Sequence, residues 1–270
     1  MTETPTMTLV MPTMRAGQLA KSLPTFIETA THGYHALVVY NGLPVDDCPS
    51  CYHGWYIEKL VLPENVGPLG AMQAAYERLS RQEEPPDIMA YVHDDTLMRE
   101  KGWDERVLAE FADPAVGVVG FGGALGLGTD DIYKRPYDYR QLTRQGYRSN
   151  TDDAEQHGER FTGACNVATL DGFALIVRKT VLDKVGGWPV NDLFFHCYDY
   201  WVTMVAQMQG FRVRLVGAQC YHQGGQSSVT PAHQDATVRV MGKTDAEVHI
   251  ESHRFIYDLG QGVLPLRVRP

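Results

Sequence analysis

The sequence predicts an α/β protein in which a doubly wound sheet is flanked by helices and followed by a small C-terminal appendage. Three observations carry this reading. Short strand-like runs at residues 8–11, 36–40, 57–61 and 88–92, mostly apolar apart from Glu58 and Lys59, alternate with stretches whose apolar residues recur at helical spacing, a pattern that implies parallel strands joined by crossovers. The run Ile88-Met89-Ala90-Tyr91-Val92 is apolar at successive positions, as a strand buried on both faces must be. That run passes through His93 into two adjacent carboxylates, Asp94-Asp95, at the point where open α/β sheets bind their ligands.

Taken in order, Thr8-Leu9-Val10-Met11 forms the first strand and Pro12-Thr13 ends it. Leu19, Leu23, Phe26, Ile27 and Ala30 then mark one face of an amphipathic helix. Ala36-Leu37-Val38-Val39-Tyr40 is the second strand, stopped by the turn-forming pair Asn41-Gly42, and Ile57–Val61 is the third. A helix with Leu69, Met72, Tyr76 and Leu79 on its buried stripe precedes the Ile88 strand. Beyond the carboxylates, Trp103, Val107, Leu108 and Phe111 define a short helix, and Val116–Phe121 a fifth strand.

Residues 122–160 show no clear period. They are glycine-rich and then rich in Tyr, Arg and Asp, including Tyr133, Tyr137, Tyr139 and Tyr147, and they read as a long loop suited to a lid or an acceptor surface. Asp171-Gly172 then opens another strand through Val177, and Val185-Gly186-Gly187-Trp188-Pro189 breaks the chain. A helix from about Asp199 carries Trp201, Met204, Val205 and Met208, and Phe211–Val216 is an alternating strand. Residues 1–225 are expected to form one domain, with halves at about 1–100 and 101–225. Residues 226–270 are the helical appendage, opened by a capping box at Thr244-Asp245-Ala246-Glu247.

Bulk properties narrow the function. With 270 residues and a net charge of −9, the chain is not built mainly to coat nucleic acid or anionic lipid. No apolar run approaches a membrane span and Met1–Pro5 lacks a signal-like core, so a cytoplasmic protein without stable membrane insertion is expected. Five cysteines suggest no disulfide scaffold. Cys48-x-x-Cys51 with His53 could begin a zinc site, but no second closely spaced pair follows. His249 and His253, one helical turn apart, are expected on an exposed helix face.

Adjacent carboxylates at a strand end repel one another unless a cation holds them, and a divalent ion gripping a phosphate is a natural partner. Asp94-Asp95 could equally open a turn or cap a helix. Several ordered segments favour the first reading. Pro12-Thr13-Met14-Arg15, Asn41-Gly42, Asn65-x-Gly67-x-x-x-Ala71, His93-Asp94-Asp95, Asp171-Gly172 with Val185-Gly186-Gly187, and Phe194 through Asp199 with Gly210-Phe211 together resemble the family 2 glycosyltransferases. The resemblance spans roughly Thr8 to Gly225 and implies the GT-A fold, a Rossmann-like mixed sheet flanked by helices.

The resemblance also implies roles. Asp95, Asp94 and His222 would hold Mn²⁺ or Mg²⁺, and Asp199 would act as general base in an inverting transfer. Pro12, Thr13, Arg15, Asn41, Asn65, Gly67, Ala71, His93 and Asp94 would bind a nucleotide-sugar donor, with a UDP-sugar favoured and the nucleobase left open. Asp171, Gly172 and Trp188 would face a hydroxyl-bearing acceptor. Three positions depart from the family pattern: Tyr40 ends the second strand where an acidic residue is common, His93 replaces the first metal-motif carboxylate, and Tyr198 replaces the glutamate of a Glu-Asp pair.

His222 can also be read as a rim histidine, and Asp199 as a first-turn acid worth about 1 kcal/mol. Alternative functions are a catalytically degenerate sugar-nucleotide or glycan-binding module and a nucleotidyltransferase. The latter usually carries a basic glycine-rich phosphate loop, which Pro12–Gly17 matches poorly. The acceptor is open among a polysaccharide, a lipid-linked sugar, a protein and a modified base in DNA, with the acidic charge weighing against DNA.

Overall fold

A computed structural model describes residues 5–45, 48–129, 142–152, 158–224 and 230–268. Tyr133, Tyr137, Tyr139 and Gly225 therefore lie outside the described residues. The first half is built as the alternation predicts: β1 (Met7–Thr13), α1 (Ala16–Thr29), β2 (His35–Asn41), a short β3 (Cys51–Tyr52), β4 (Trp55–Leu62), α2 (Gly67–Ser80) and β5 (Ile88–Val92). Strands β5, β1, β2 and β4 lie side by side and parallel. All five residues of β5 are buried, so the side chains of both strand faces need apolar neighbours and the run carries no polar alternation.

Helices cover both faces. In β2, Leu37 and Val39 join the core that includes Leu69, Met72 and Leu79 of α2, while Ala36, Val38 and Tyr40 join the opposite core with Leu19, Leu23, Phe26 and Ile27 of α1. Burial of each such large side chain contributes about 1.5–3 kcal/mol, which is why the apolar stripe outweighs Pro24 inside α1. The Cys48–Cys51 segment with His53 forms the β3–β4 hairpin, whose turn residues His53 and Gly54 have φ of 47° and 82°.

The second half completes one nine-stranded mixed sheet. After β6 (Thr96–Met98) and α3 (Trp103–Phe111) come β7 (Val116–Gly120), β8 (Gly122–Thr129), β9 (Leu142–Ser149), β10 (Glu159–Arg160), β11 (Ala164–Asn166), β12 (Thr169–Leu170) and β13 (Ala174–Arg178). Then follow α4 (Lys179–Asp183), α5 (Tyr198–Met208), β14 (Arg212–Val216) and β15 (Cys220–His222). The sheet order is β11-β14-β7-β13-β5-β1-β2-β4-β3, with β13 antiparallel to both β5 and β7. Strand β13 begins at Ala174, so Asp171-Gly172-Phe173 form the turn that enters it.

Two expectations are corrected. The described parts of 122–160 are largely strands: β8 and β9 pair antiparallel within a second sheet of order β10-β9-β8-β12. Glycines at 122, 123, 126 and 128 hide this strand from periodicity. They are present because neighbours press on the backbone; a Cβ on Gly122 would lie 2.3 Å from the Tyr147 hydroxyl. His249 and His253 do not occupy an exposed face either, since His253 is 4% exposed and packs against His249 at 4.6 Å between ring centroids.

Beyond residue 230 the chain forms α6 (Pro231–Met241), α7 (Asp245–Leu259) and β16 (Leu266–Arg267). The capping box forms as expected, with the Thr244 side chain accepting from the Glu247 N–H and the Glu247 side chain accepting from the Thr244 N–H. Ile256 of α7 is buried in the α2-side core and β16 adds to the edge of β8. No helix among the described residues is long and apolar enough to cross a membrane.

Candidate functional site

The chain leaves β5 in a tight turn: the His93 N–H donates to the Phe173 carbonyl (2.9 Å) and the Thr96 N–H to the His93 carbonyl (3.2 Å). His93, Asp94 and Asp95 are thereby held at the carboxyl end of the sheet. Strand β15 pairs antiparallel with β6, with Thr96 opposite His222, and this ladder delivers His222 across 127 residues to Asp95. Asp95 Oδ1 lies 3.4 Å from His222 Nε2 and 3.8 Å from His93 Nδ1. His93, Asp95 and His222 offer ligand atoms all within 4.8 Å of one another.

Asp95 is 5% exposed and its Oδ1 is buried without a hydrogen-bond partner. An orphaned buried carboxylate oxygen between two imidazole nitrogens is a costly arrangement that a cation would satisfy. Burial pushes the Asp95 carboxyl up, but proximity to His222, His93 and Arg15 more than reverses this and holds it at about 2. Burial pushes the His93 imidazole down to about 4, against the pull of Asp95. At neutral pH the trio is thus a carboxylate and an uncharged His93 ring beside His222, a donor set that fits a borderline divalent ion.

Asp94 faces the other way. Its Oδ2 accepts from Thr13 Oγ1 (2.7 Å) and its Oδ1 from Arg15 Nη2 (3.1 Å). Of the two carboxylates it is therefore Asp95 that joins the cluster of potential ligands, and His93 stands there in place of Asp94. Arg15 also reaches to 3.8 Å from Asp95, so one guanidinium spans both acids. Burial raises the Asp94 carboxyl, with Thr13 and Arg15 opposing.

A cleft opens above this corner, lined by Pro12, Thr13, Met14, Asn41, Pro68, Met72, His93, Asp94, Asp95, Gly172 and Phe195 among others. Its floor is stapled by two asparagines. Asn41 Nδ2 donates to Asn65 Oδ1 (3.0 Å) and to the Gly67 carbonyl (3.1 Å), while Asn41 Oδ1 accepts from the Val66 N–H (2.9 Å). Gly67 opens α2 at φ 78°, and a Cβ there would sit 2.2 Å from the Phe194 ring. Ala71 is fully buried one turn further on, beneath the cleft wall. Tyr40 is fully buried in the α1-side core.

A second charged cluster joins β9, the turn before β13 and the start of α5. Arg144 of β9 donates from Nη1 to Asp171 Oδ2 (2.8 Å) and from Nη2 to Asp199 Oδ2. Tyr147 also donates to Asp171 Oδ2 (3.0 Å), and the guanidinium lies over the rings of Tyr200 (5.2 Å) and Tyr147 (5.8 Å). Burial raises the Asp199 carboxyl, opposed by Arg144 and reinforced by Asp171. For Asp171 burial also pushes up, but Arg144, His222 and the Tyr147 hydroxyl bring the carboxyl below its ordinary value.

Sequence reasoning missed Arg144, because it lies in the aperiodic stretch and charge content alone did not single it out. Trp188, expected to face an acceptor, is 3% exposed and packs against Tyr91 (5.2 Å), which lines the cleft, and against Trp201 (5.8 Å).

The nine-stranded mixed sheet flanked by helices has the fold of the GT-A glycosyltransferases. A mannosyltransferase from Pyrobaculum calidifontis, solved with GDP-Man and Mn²⁺, is similar over 95% of this chain and 70% of its own, at 16% identity and a TM-score of 0.56. GalNAc-T7, solved with UDP, GalNAc and Mn²⁺, is similar over 88% of this chain at 8% identity and a TM-score of 0.57, although this chain spans only 48% of it. TarS 1-349 from S. aureus is similar over 96% of this chain and 72% of its own, at 12% identity and a TM-score of 0.55. Comparison with curated proteins finds no match. Residues 56–243 match the Glycosyltransferase like family, and the chain belongs to that family.

Proposed function

We propose that the protein is a metal-dependent, inverting glycosyltransferase that moves a sugar from a nucleotide-sugar donor to an acceptor hydroxyl. The observation that carries the reading is the orphaned Asp95 Oδ1 set between His93 and His222 at the mouth of the donor-side cleft. Solved structures of the same fold with GDP-Man or UDP and Mn²⁺ support the donor class and the metal. A divalent cation held by Asp95, His222 and His93 would supply Lewis-acid neutralisation of the diphosphate. Mn²⁺ suits this mixed imidazole and carboxylate set better than Mg²⁺.

The chain's own groups provide the remainder. Arg15 is a cation at the start of α1, positioned to balance diphosphate charge as the bond from the anomeric carbon to the phosphate oxygen breaks. Asp199 is the general base: it takes the proton of the acceptor hydroxyl as that oxygen bonds to the anomeric carbon from the opposite face, which inverts the centre. Its two oxygens already accept from Arg144 and from the Tyr200 N–H (2.9 Å), yet a carboxylate has about four acceptor positions, leaving room for a hydroxyl. Arg144 orients Asp199 and opposes the upward push of burial on its carboxyl, and Tyr147, Asp171 and Gly172 complete the acceptor side.

The test is thermal stabilisation by a panel of nucleotide sugars, each with Mn²⁺, Mg²⁺ or EDTA. A donor at about a hundred times its dissociation constant stabilises a fold by roughly 2.7 kcal/mol. The expected result is a shift for one donor class that needs the cation and vanishes in Asp95→Ala. A folded protein shifted by no nucleotide sugar with any metal would instead support a binding module without transferase activity.

A further inference from the structure

Two of the positions at which this sequence departs from the family pattern, His93 and Tyr198, are 105 residues apart and meet in the fold. Tyr198 Oη lies 2.7 Å from His93 Nε2. The same hydroxyl donates to the Gly172 carbonyl at 3.2 Å. A phenol has one proton; when it is given to the Gly172 carbonyl, the hydroxyl oxygen accepts from His93 Nε2, which then carries the N–H. In that tautomer of the neutral imidazole Nδ1 is bare, and it lies 3.8 Å from Asp95 Oδ1.

The surroundings pack closely around the hydroxyl. Tyr198 is 4% exposed, and a Cβ on Gly172 would lie 2.3 Å from its oxygen, so glycine is what lets the phenol approach the backbone. The His93 backbone is pinned by its own N–H to Phe173. We propose that Tyr198 is a positioning residue: anchored on the Gly172 carbonyl, it locks His93 in the Nε2–H tautomer and makes Nδ1 a third ligand, with Asp95 and His222, of a divalent cation. This rests on the metal reading given above. It also accounts for both departures at once, since a histidine in place of the first carboxylate needs an outer partner to fix its tautomer, and a tyrosine reaches it.

The experiment is Mn²⁺ titration of the metal-stripped full chain, followed by loss of the free-ion electron paramagnetic resonance signal, for wild type, Tyr198→Phe, His93→Ala and the double variant. Removing such an outer partner typically weakens metal binding by about 10–100-fold, and Tyr198→Phe should fall in that range. In the His93→Ala background the same change should cost less than about twofold, because the hydroxyl acts only through His93. Tyr198→Phe binding Mn²⁺ like wild type, or an undiminished penalty in the His93→Ala background, overturns the proposal while leaving the metal site standing. Absence of Mn²⁺ binding to folded wild type overturns the metal reading and this inference together. Nitrogen-15 histidine spectra of the metal-free wild type should show His93 protonated at Nε2, its signals identified by their absence in the folded His93→Ala variant. Protonation at Nδ1 refutes the assignment.

Discussion

Replacing Arg144 by alanine removes the guanidinium that sits between Asp171 and Asp199 and leaves two facing carboxylates in a poorly solvated wall. At the 2.8 Å separation from Asp171, the Coulomb attraction at an effective dielectric of about 20 is roughly 6 kcal/mol. The cost of desolvating the ions offsets much of that. Truncating one member of a buried ion pair costs about 3–5 kcal/mol. The side chains here are 11–26% exposed, which places the expected loss at the lower end, about 3 kcal/mol at pH 7.

The pH dependence gives a sharper test. In the wild type the Asp171 carboxyl is depressed, so its contribution is present above the unfolded carboxylate value and is lost as pH falls. Without Arg144 both carboxyls move up, and each can relieve the repulsion by taking a proton. The difference between wild type and variant should therefore be largest near pH 7 and shrink as pH falls below about 5. Urea denaturation at pH 7.5 and 4.5 measures it. Arg144→Lys keeps the charge but loses the two-pronged geometry, and should fall between wild type and alanine. A loss under about 1 kcal/mol at pH 7, or one that does not change with pH, would refute an ion-pair role for Arg144.

Asp199→Asn should abolish transfer, by about 10²–10⁴-fold or more, while nucleotide-sugar binding and the melting temperature stay near wild type; near-normal turnover would remove Asp199 from the base role. Burial lowers His233, His249 and His253, the last to about 3. Groups depressed in this way support the fold fully above their unfolded value near 6.5 and cost stability as pH falls below it. His253 Nδ1, which accepts from the Leu142 N–H (3.0 Å), should by itself cost about 1–2 kcal/mol at pH 5, and His253→Gln should flatten the stability profile between pH 7 and 5. Gly67→Ala forces a side chain onto φ 78° and into Phe194, and should lower stability by about 2 kcal/mol or more and weaken donor binding; an unchanged melting temperature would count against the tight α2 entry.

Elements that depend on near neighbours in the chain were readable in advance. The parallel strands β1, β2, β4 and β5 follow from apolar runs, and α1, α2 and α5 from helical stripes, because burial on one face or two imprints a period on consecutive residues. The capping box at Thr244 and Glu247 was legible for the same reason, since its partners are three residues apart. The placement of Asp94-Asp95 at the end of a buried strand also came from local pattern alone.

Pairings between distant residues required the tertiary structure. Glycines that admit close neighbours erase the alternation of β8, so the β8–β9 pair and its Arg144 were invisible until the strands were laid together. Which of two adjacent carboxylates joins the cluster of potential ligands depends on which way each side chain turns, and Thr13 and Arg15 turn Asp94 aside. His249 and His253 have the spacing of an exposed helical pair, but β9 and His196 pack over them. The meeting of His93 with Tyr198 depends on the antiparallel insertion of β13 beside β5, which sets Gly172 and Phe173 next to His93. A sequence records the period each face demands of its own residues, whereas the choice of partner across the sheet is made by crossovers and register, which no single stretch encodes.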